Sequence, residues 1–299
     1  MNTKKKKSRT LAPAAVLLAG ILWGSMGIFV RKYNEWGLES LQIVAIRACV
    51  TAVLLLLGLL LFRRELLKIR WKDLWCFLGT GLCSILFFNY CYFKTITLTS
   101  LSVAAVLLYT APAMVMVMSA FLFGEKFNSR KCFALFLAFG GCVLVTGLVG
   151  SELRLTAAGI LTGLGAGFGY ALYSIFSRFA LQKGYHSLTI MAYTFLFAAL
   201  GVIPMVEKGS ILRVVSKSPE TILFTLVFAI VSTVLPYFVY TWGLQYVENG
   251  AASILASVEP VMASLIGVFL FREKISLPEL CGIIMVLVSV VICSRQEGD

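Results

Sequence analysis

The chain has 299 residues, of which 60% are apolar and only 13% are charged. Soluble domains carry charge on about a quarter of their residues, so this composition excludes an ordinary soluble domain and indicates an integral membrane protein. The net charge of +12 would suggest nucleic acid binding in a soluble protein. Here the basic residues lie in short loops between apolar runs, which fits control of membrane topology instead. We expect no nucleic acid partner.

Ten apolar segments are each long enough to cross the hydrocarbon core of a bilayer, which takes about 20 residues. They lie at 11–31, 40–62, 73–93, 100–123, 132–150, 155–177, 187–206, 221–243, 250–271 and 278–294. The longest connection, 207–220, is too short to hold a soluble domain. The sequence therefore predicts an all-α integral membrane protein whose function resides within the bilayer.

The distribution of basic residues predicts that both termini face the cytoplasm. With the N-terminus inside, sixteen Lys and Arg fall on the inner side and nine on the outer side, in the direction of the positive-inside rule. The run Lys4 to Lys7 would anchor the N-terminus. The first segment could resemble a cleaved signal peptide, but its match within an internal repeat favours a retained helix. We expect a multi-pass protein of the plasma (inner) membrane.

An internal repeat divides the chain into two halves, 1–150 and 151–299. The segment Phe121 to Lys126 recurs as Phe269 to Lys274, an offset of 148, and Pro112 matches Pro260 at the same offset. Earlier in each half the offset is 147. There the matched pairs are Phe29 and Phe176, Arg31 and Arg178, Gly37 and Gly184, Ser40 and Ser187, and Ala45 and Ala192. Each half holds five segments, so the second copy would be inverted in the membrane, as in many secondary transporters.

Two ionisable residues, Arg47 and Glu259, fall well inside predicted helices. A charge at the centre of such a helix costs roughly 2.5–3.5 kcal/mol, so it usually faces a cavity or a partner. Glu259 could bind a cationic substrate group or a coupling proton, or it could form a structural pair with Arg47. Pro112 and Pro260 each remove a backbone hydrogen bond and are predicted to kink the fourth and ninth helices.

Polar and aromatic residues gather in several predicted helices, as in pockets for small ligands. The candidate substrate-binding residues are Trp23, Ser25, Asn89, Tyr90, Tyr109, Thr110, Tyr170 and Tyr237. Aromatic residues near helix ends, Tyr92, Tyr240 and Trp242, are expected to be interfacial anchors. The sixth segment carries glycines that favour close helix packing, namely Gly159, Gly163, Gly165, Gly167 and Gly169.

These features together resemble the drug/metabolite transporter superfamily, in particular its ten-helix EamA-type family. The resemblance spans nearly the whole chain and rests on residues found in order along it: Trp23-Gly24, Arg47, Asn89, Pro112 to Lys126, and Pro260 to Lys274. It implies two five-helix repeats around a central cavity, with alternating access to a small molecule. The second half departs from the pattern, because Tyr170-Ala171 replaces Trp-Gly and Thr194 lies opposite Arg47.

The leading hypothesis is a secondary transporter that exports amino acids or related metabolites or drugs, driven by proton exchange or by the substrate gradient. No phosphate-binding loop for ATP is present. An importer or exchanger of a vitamin, a nucleoside-like compound or a phosphorylated metabolite is the alternative within transport. A non-transporting scaffold or receptor is the alternative of another class. A homodimer is possible.

We expect no enzyme, no cofactor and no metal. His186 is the only histidine, and the eight cysteines are scattered without metal-ligand spacing. An intramembrane enzyme would need a nucleophile, base or metal set, and the predicted helices offer one carboxylate.

The charge distribution predicts the location of the C-terminus. A green fluorescent protein fused there should be fluorescent in bacteria, and alkaline phosphatase fused there should be inactive, because both ends face the cytoplasm. The reverse pattern would contradict the predicted topology.

Overall fold

The computed structural model describes residues 3–148 and 155–296, which form helices joined by short loops. The first half contains α1 (Thr3–Gly24), α2 (Met26–Glu35), α3 (Ser40–Phe62), α4 (Leu74–Leu78), α5 (Phe87–Leu98), α6 (Leu101–Leu108), α7 (Ala111–Phe123) and α8 (Ser129–Val145). The second half contains α9 (Ala157–Gln182), α10 (Ser187–Val202), α11 (Lys208–Val215), α12 (Pro219–Ala229), α13 (Leu235–Gly243), α14 (Asn249–Ala256), α15 (Glu259–Phe271) and α16 (Leu277–Gln296). Short 3₁₀ turns occupy Arg64–Leu67, Trp71–Asp73 and Ile203–Met205, and π-helical segments occupy Gly79–Leu86 and Ile230–Val234.

Within the described residues, nine helical segments are long and apolar enough to cross a membrane. They are Ser8–Glu35, Ser40–Phe62, Trp71–Leu98, Leu101–Phe123, Ala157–Gln182, Ser187–Met205, Pro219–Gly243, Asn249–Phe271 and Leu277–Ser294. The predicted fifth segment corresponds to α8, which has 17 residues. The last two residues of that prediction and the boundary between the halves lie outside the described residues. The chain is an all-helical, multi-pass membrane protein, and the number ten stays a prediction.

Three of the long segments are interrupted near their middle. The first breaks at Ser25 between α1 and α2, and the segments of α6–α7 and α14–α15 break just before Pro112 and Pro260. Each proline is the second residue of the new helix, where its missing N–H is harmless. The predicted kinks therefore take the form of breaks placed before each proline.

The breaks leave backbone carbonyls that water cannot reach in a bilayer, so neighbouring side chains must satisfy them. The hydroxyl of Ser25 donates to the carbonyl of Leu22 at 2.6 Å. The hydroxyl of Thr110 donates to the carbonyl of Leu107, also at 2.6 Å. These two side chains, both predicted to bind substrate, thus stabilise the breaks in their own helices.

The two π-helical segments lie in corresponding helices of the two halves, between α4 and α5 and between α12 and α13. A π-helical turn inserts extra backbone into a helix and is frequent at functional sites. The first of them packs against α9 and α10, so the irregular backbone is covered by protein.

Glycines allow α1 and α9 to approach the breaks closely. A Cβ at Gly20 of α1 would lie 2.8 Å from the carbonyl oxygen of Ala256, at the end of α14. A Cβ at Gly167 of α9 would lie 2.9 Å from the carbonyl oxygen of Leu107, near the end of α6. Gly20 and Gly167 are related by the offset of 147. The same contact therefore occurs twice, each time between a helix of one half and a break in the other half.

Substitution of either glycine should destabilise the protein. Gly20→Ala and Gly167→Ala should each cost about 1–3 kcal/mol, because the new methyl group has no room. Thermal unfolding of the purified protein in one detergent would measure the loss. Gly27→Ala is the matched control, because its Cβ would meet nothing within 4 Å. Equal melting temperatures for all three variants would contradict the packing argument.

Candidate functional site

Trp23 lies at the centre of a buried aromatic cluster between the two halves. Its ring lies 5.1 Å from that of Tyr237, 5.2 Å from that of Tyr240 and 6.4 Å from that of Tyr170. Tyr173 extends the cluster through Tyr237, at 4.9 Å between ring centres. The edge-to-face and tilted arrangements are those that aromatic pairs prefer. The cluster joins α1, α9 and α13 into one site.

The position of Gly24 explains why glycine follows Trp23 in α1. A Cβ at Gly24 would lie 2.6 Å from the carbonyl oxygen of Glu259, so only glycine allows α1 to reach the start of α15 at this point. This close approach places Trp23 beside the break that precedes α15. The pair therefore brings the largest aromatic ring and the intramembrane carboxylate to the same region.

Glu259 is the first residue of α15 and is only partly buried. Its Oε2 accepts a hydrogen bond from the hydroxyl of Tyr170 at 3.3 Å. Tyr92 and Tyr109 also lie within electrostatic range of this carboxylate. A carboxylate bounded by aromatic rings can hold an organic cation through charge and through the ring faces.

Arg47 of α3 is 4% exposed, and its Nη1 lies 3.3 Å from the sulfur of Met26. It is close enough to Glu259 and Tyr237 to interact with them through space. No ion pair within 4.0 Å joins Arg47 to Glu259 in the part of the chain that the structure describes. The structural pair between Arg47 and Glu259 that the sequence suggests is therefore not a direct ion pair in this conformation.

Two residues of the cluster were assigned no binding role from the sequence. Tyr240, expected to be an interfacial anchor, is buried and hydrogen-bonds Ser174 at 2.8 Å, so that expectation is wrong. Tyr173 hydrogen-bonds Thr241 at 2.7 Å. Both face the centre because the inner faces of α9 and α13 meet there. In the sequence, the spacing of tyrosines along α9 is the signal that could have indicated that Tyr173 faces the same site as Tyr170.

The remaining predicted residues are placed differently. Asn89 of α5 is buried and donates to the carbonyl of Ile85 at 2.7 Å. Tyr90 is 50% exposed and takes no part in the ring contacts of the cluster. Tyr109 is partly buried at the end of α6 and packs against the main apolar core. Tyr170 and Tyr237 are therefore the predicted tyrosines that join Trp23 directly.

Two Glu–Arg pairs, one after α7 and one after α15, each join a residue of one half to a residue of the other. Glu125 follows α7 and lies 3.8 Å from Arg178. Glu273 follows α15 and lies 2.6 Å from Arg31. The sequence repeat relates the two glutamates to each other and the two arginines to each other. The sequence does not show that each glutamate pairs with an arginine. Glu125 and Arg178 lie close enough to Tyr240 of the aromatic cluster to interact with it through space.

Two surface pockets lie at loops that the repeat also relates, one at Gly37 and one at Gly184. The first has a volume of about 500 Å³ and is lined by Glu35, Trp36, Gly37, Leu38, Ser210, Arg213, Val214, Lys217 and Thr221. The second has a volume of about 290 Å³ and is lined by Glu65, Leu66, Lys68, Arg70, Lys183, Gly184, Tyr185, His186 and Thr189. In the second, a hydrogen bond to Asp73 raises the pKa of the Lys183 ammonium above its ordinary value. Neither pocket reaches Trp23 or Glu259.

A buried site of aromatic and charged residues between two helical repeats is the architecture of a membrane transporter. The sequence model of the EamA-like transporter family matches residues 10–147 and 157–295. The two matches cover most of the chain, which therefore belongs to the EamA-like transporter family of the drug/metabolite transporter superfamily. The resemblance seen in the sequence is confirmed.

Relatives agree with this assignment, and a solved structure shares the fold. An uncharacterized transporter of Archaeoglobus fulgidus is 28% identical over 299 residues, covering 95% of this chain and 96% of its own length. An uncharacterized inner membrane transporter of Salmonella typhimurium, YicL, is 26% identical over 288 residues, with 94% of each chain covered. A crystal structure that is 15% identical covers 97% of both chains with a TM-score of 0.75, which shows the fold alone.

Glu259 and Glu125 should differ in their importance for stability. Glu259→Gln should change the free energy of unfolding by less than about 1 kcal/mol, because the carboxylate makes one long hydrogen bond and no direct ion pair. Glu125→Gln should cost about 1–3 kcal/mol, because Glu125 accepts two backbone hydrogen bonds beside an arginine. Thermal unfolding in one detergent would compare the two. Equal or reversed losses would show that Glu259 is a structural charge.

Proposed function

We propose that this protein is a secondary-active exporter of amino acids or related small metabolites and drugs, working by alternating access. The observation that supports this most is Glu259, a partly exposed carboxylate beside the rings of the central cluster, with no direct ion pair in the described structure. Such a group can bind the ammonium of an amphiphilic substrate or a coupling proton. In both cases Glu259 binds and releases the positive charge at one central site.

The aromatic residues favour a substrate that is partly apolar and carries a positive group. Trp and Tyr rings attract ammonium groups over their faces. Tyr170 donates to Glu259, and Trp23 links its ring to that of Tyr237. Arg47 adds one positive charge nearby, which would suit the carboxylate of an amino acid. An importer or exchanger of a phosphorylated metabolite is disfavoured, because several basic residues would be needed at the centre.

The proposed topology places ten helices as two inverted five-helix repeats in the inner membrane, with both termini in the cytoplasm. Two-fold matching of the breaks, the π-helical segments and the glycine contacts supports it. Under this topology Glu125 and Arg178 lie at the cytoplasmic end, and Glu273 and Arg31 lie at the outer end. Protons are the proposed coupling ion, because Glu259 is the carboxylate available at the centre.

Export should protect bacteria that express the protein from a chemically coherent set of toxic amino acid analogues, dyes or antimetabolites. Glu259→Gln should abolish that protection at matched expression, because it can neither release a proton nor pair with an ammonium. Glu65→Gln is the matched control, since its carboxylate is exposed and pairs only with the exposed Arg63. Growth in graded concentrations of each compound is the measurement.

The outcomes separate the candidate functions. Increased sensitivity to a compound would indicate uptake and favour the importer. Protection that persists in Glu259→Gln would remove this residue from the mechanism. No effect in the panel, together with no substrate-dependent flux in proteoliposomes, would favour a non-transporting scaffold or receptor.

A further inference from the structure

The end of the molecule at Glu125 is closed by a compact hydrogen-bond network. Glu125 accepts from the backbone N–H groups of Asn249 at 2.7 Å and Gly250 at 3.0 Å, the first two residues of α14. A carboxylate at a helix N-terminus is stabilised by the unpaired N–H groups and by the helix dipole. Arg178 donates to the side chain of Asn249 and to the carbonyl of Val247. The network ties the end of α7 to the start of α14.

The equivalent end at Glu273 is arranged differently. Glu273 pairs with Arg31, and both side chains are about half exposed, at 49% and 51%. The start of α6 is capped by its own Ser100, whose hydroxyl accepts from the N–H of Val103 at 3.2 Å. Leu101, the first residue of α6, is 62% exposed. Within the described chain, Glu273 therefore pairs with Arg31 of α2 and makes no hydrogen bond to the start of α6.

The internal repeat allows a residue-by-residue comparison of the ends at Glu125 and Glu273. An offset of 148 relates Glu125 to Glu273, and it relates Asn249 and Gly250 of α14 to Leu101 and Ser102 of α6. Helix packing differs in the same way, because α7 packs closely on α14, whereas α15 does not pack extensively on α6 within the described residues. Repeat-related residues are thus arranged in two ways, closed at Glu125 and open at Glu273.

We propose that these two networks are the gates of the transport cycle. The Glu125 gate comprises Glu125, Arg178 and the start of α14, and the Glu273 gate comprises Glu273, Arg31 and the start of α6. The structure has the first closed and the second open. In the opposite state Glu273 accepts from the N–H groups of Leu101 and Ser102, and Glu125 releases Asn249 and Gly250. This inference rests on the proposed alternating access.

Differences between the repeats set which gate is stronger. Asn249 donates to Ser119 and accepts from Arg178, so the Glu125 gate has side-chain bonds in addition to the carboxylate. The corresponding residues of the Glu273 gate are Leu101 and Gly267, which cannot make them. The Glu125 gate is therefore the one closed at rest, and the central site then opens toward Glu273.

Hydrogen–deuterium exchange of the purified protein in nanodiscs, read by mass spectrometry, would test the coupling. Glu125→Gln should raise exchange of the amides of Asn249 and Gly250 by about fivefold or more. The same variant should slow exchange at Leu101 and Ser102, because opening one gate closes the other. A rise at α14 with no fall at α6 would overturn the proposal, since it would make the Glu125 network a local cap.

Glu207→Gln is the matched control. Glu207 also caps a helix N-terminus with its carboxylate, accepting from Gly209 and Ser210 at the start of α11, but it belongs to neither gate. Its loss should raise exchange at α11 alone, and slower exchange at α6 in this variant would also overturn the proposal. The experiment needs no substrate. A reciprocal shift without protection from toxic compounds would leave the gates and reject export, and protection without the shift would reject the gates alone.

Discussion

The structure depends on how broken helices are sheltered from lipid. Backbone groups released at a break within the membrane must find partners inside the protein. Glycines of α1 and α9 let these helices lie directly against the breaks of α14–α15 and α6–α7. The hydroxyls of Ser25 and Thr110 satisfy carbonyls at the breaks of their own helices. A site with irregular backbone at its centre can exist only because of this close packing.

The repeated scaffold holds an asymmetric set of side chains. Positions related by the repeat carry Trp23 and Tyr170, and Glu259 has Ala111 as its counterpart. Trp23 and Tyr170 face each other across the centre, and Tyr170 donates to the one carboxylate present there. The duplication therefore supplies the geometry of the site, while later differences between the copies supply its charge and its hydrogen bonds. The binding chemistry belongs to neither half alone.

The same asymmetry extends to the two ends of the molecule. Matched glutamates and arginines are present in both copies, yet of the two glutamates Glu125 alone accepts, within the described chain, backbone hydrogen bonds from the start of a neighbouring helix, α14. Packed cores tend to adopt discrete arrangements rather than intermediate ones. Under the proposed alternating access the two gates are not open at the same time, so they provide such a pair of arrangements. The central break before Glu259 lies between them and can transmit the change.

The sequence by itself determined the membrane class, the family, the two-fold repeat and the intramembrane charges Arg47 and Glu259, because hydrophobic length, charge scarcity and self-similarity are properties of the chain in one dimension. It also predicted site roles for Trp23, Tyr170 and Tyr237, whose rings the structure brings into one cluster. It misplaced Tyr240, because distance along a helix does not show which face a neighbouring helix covers. The partners of Glu259 and of the two Glu–Arg pairs were decided only by tertiary structure. Those contacts join residues tens to hundreds of positions apart, and helix packing alone brings them together.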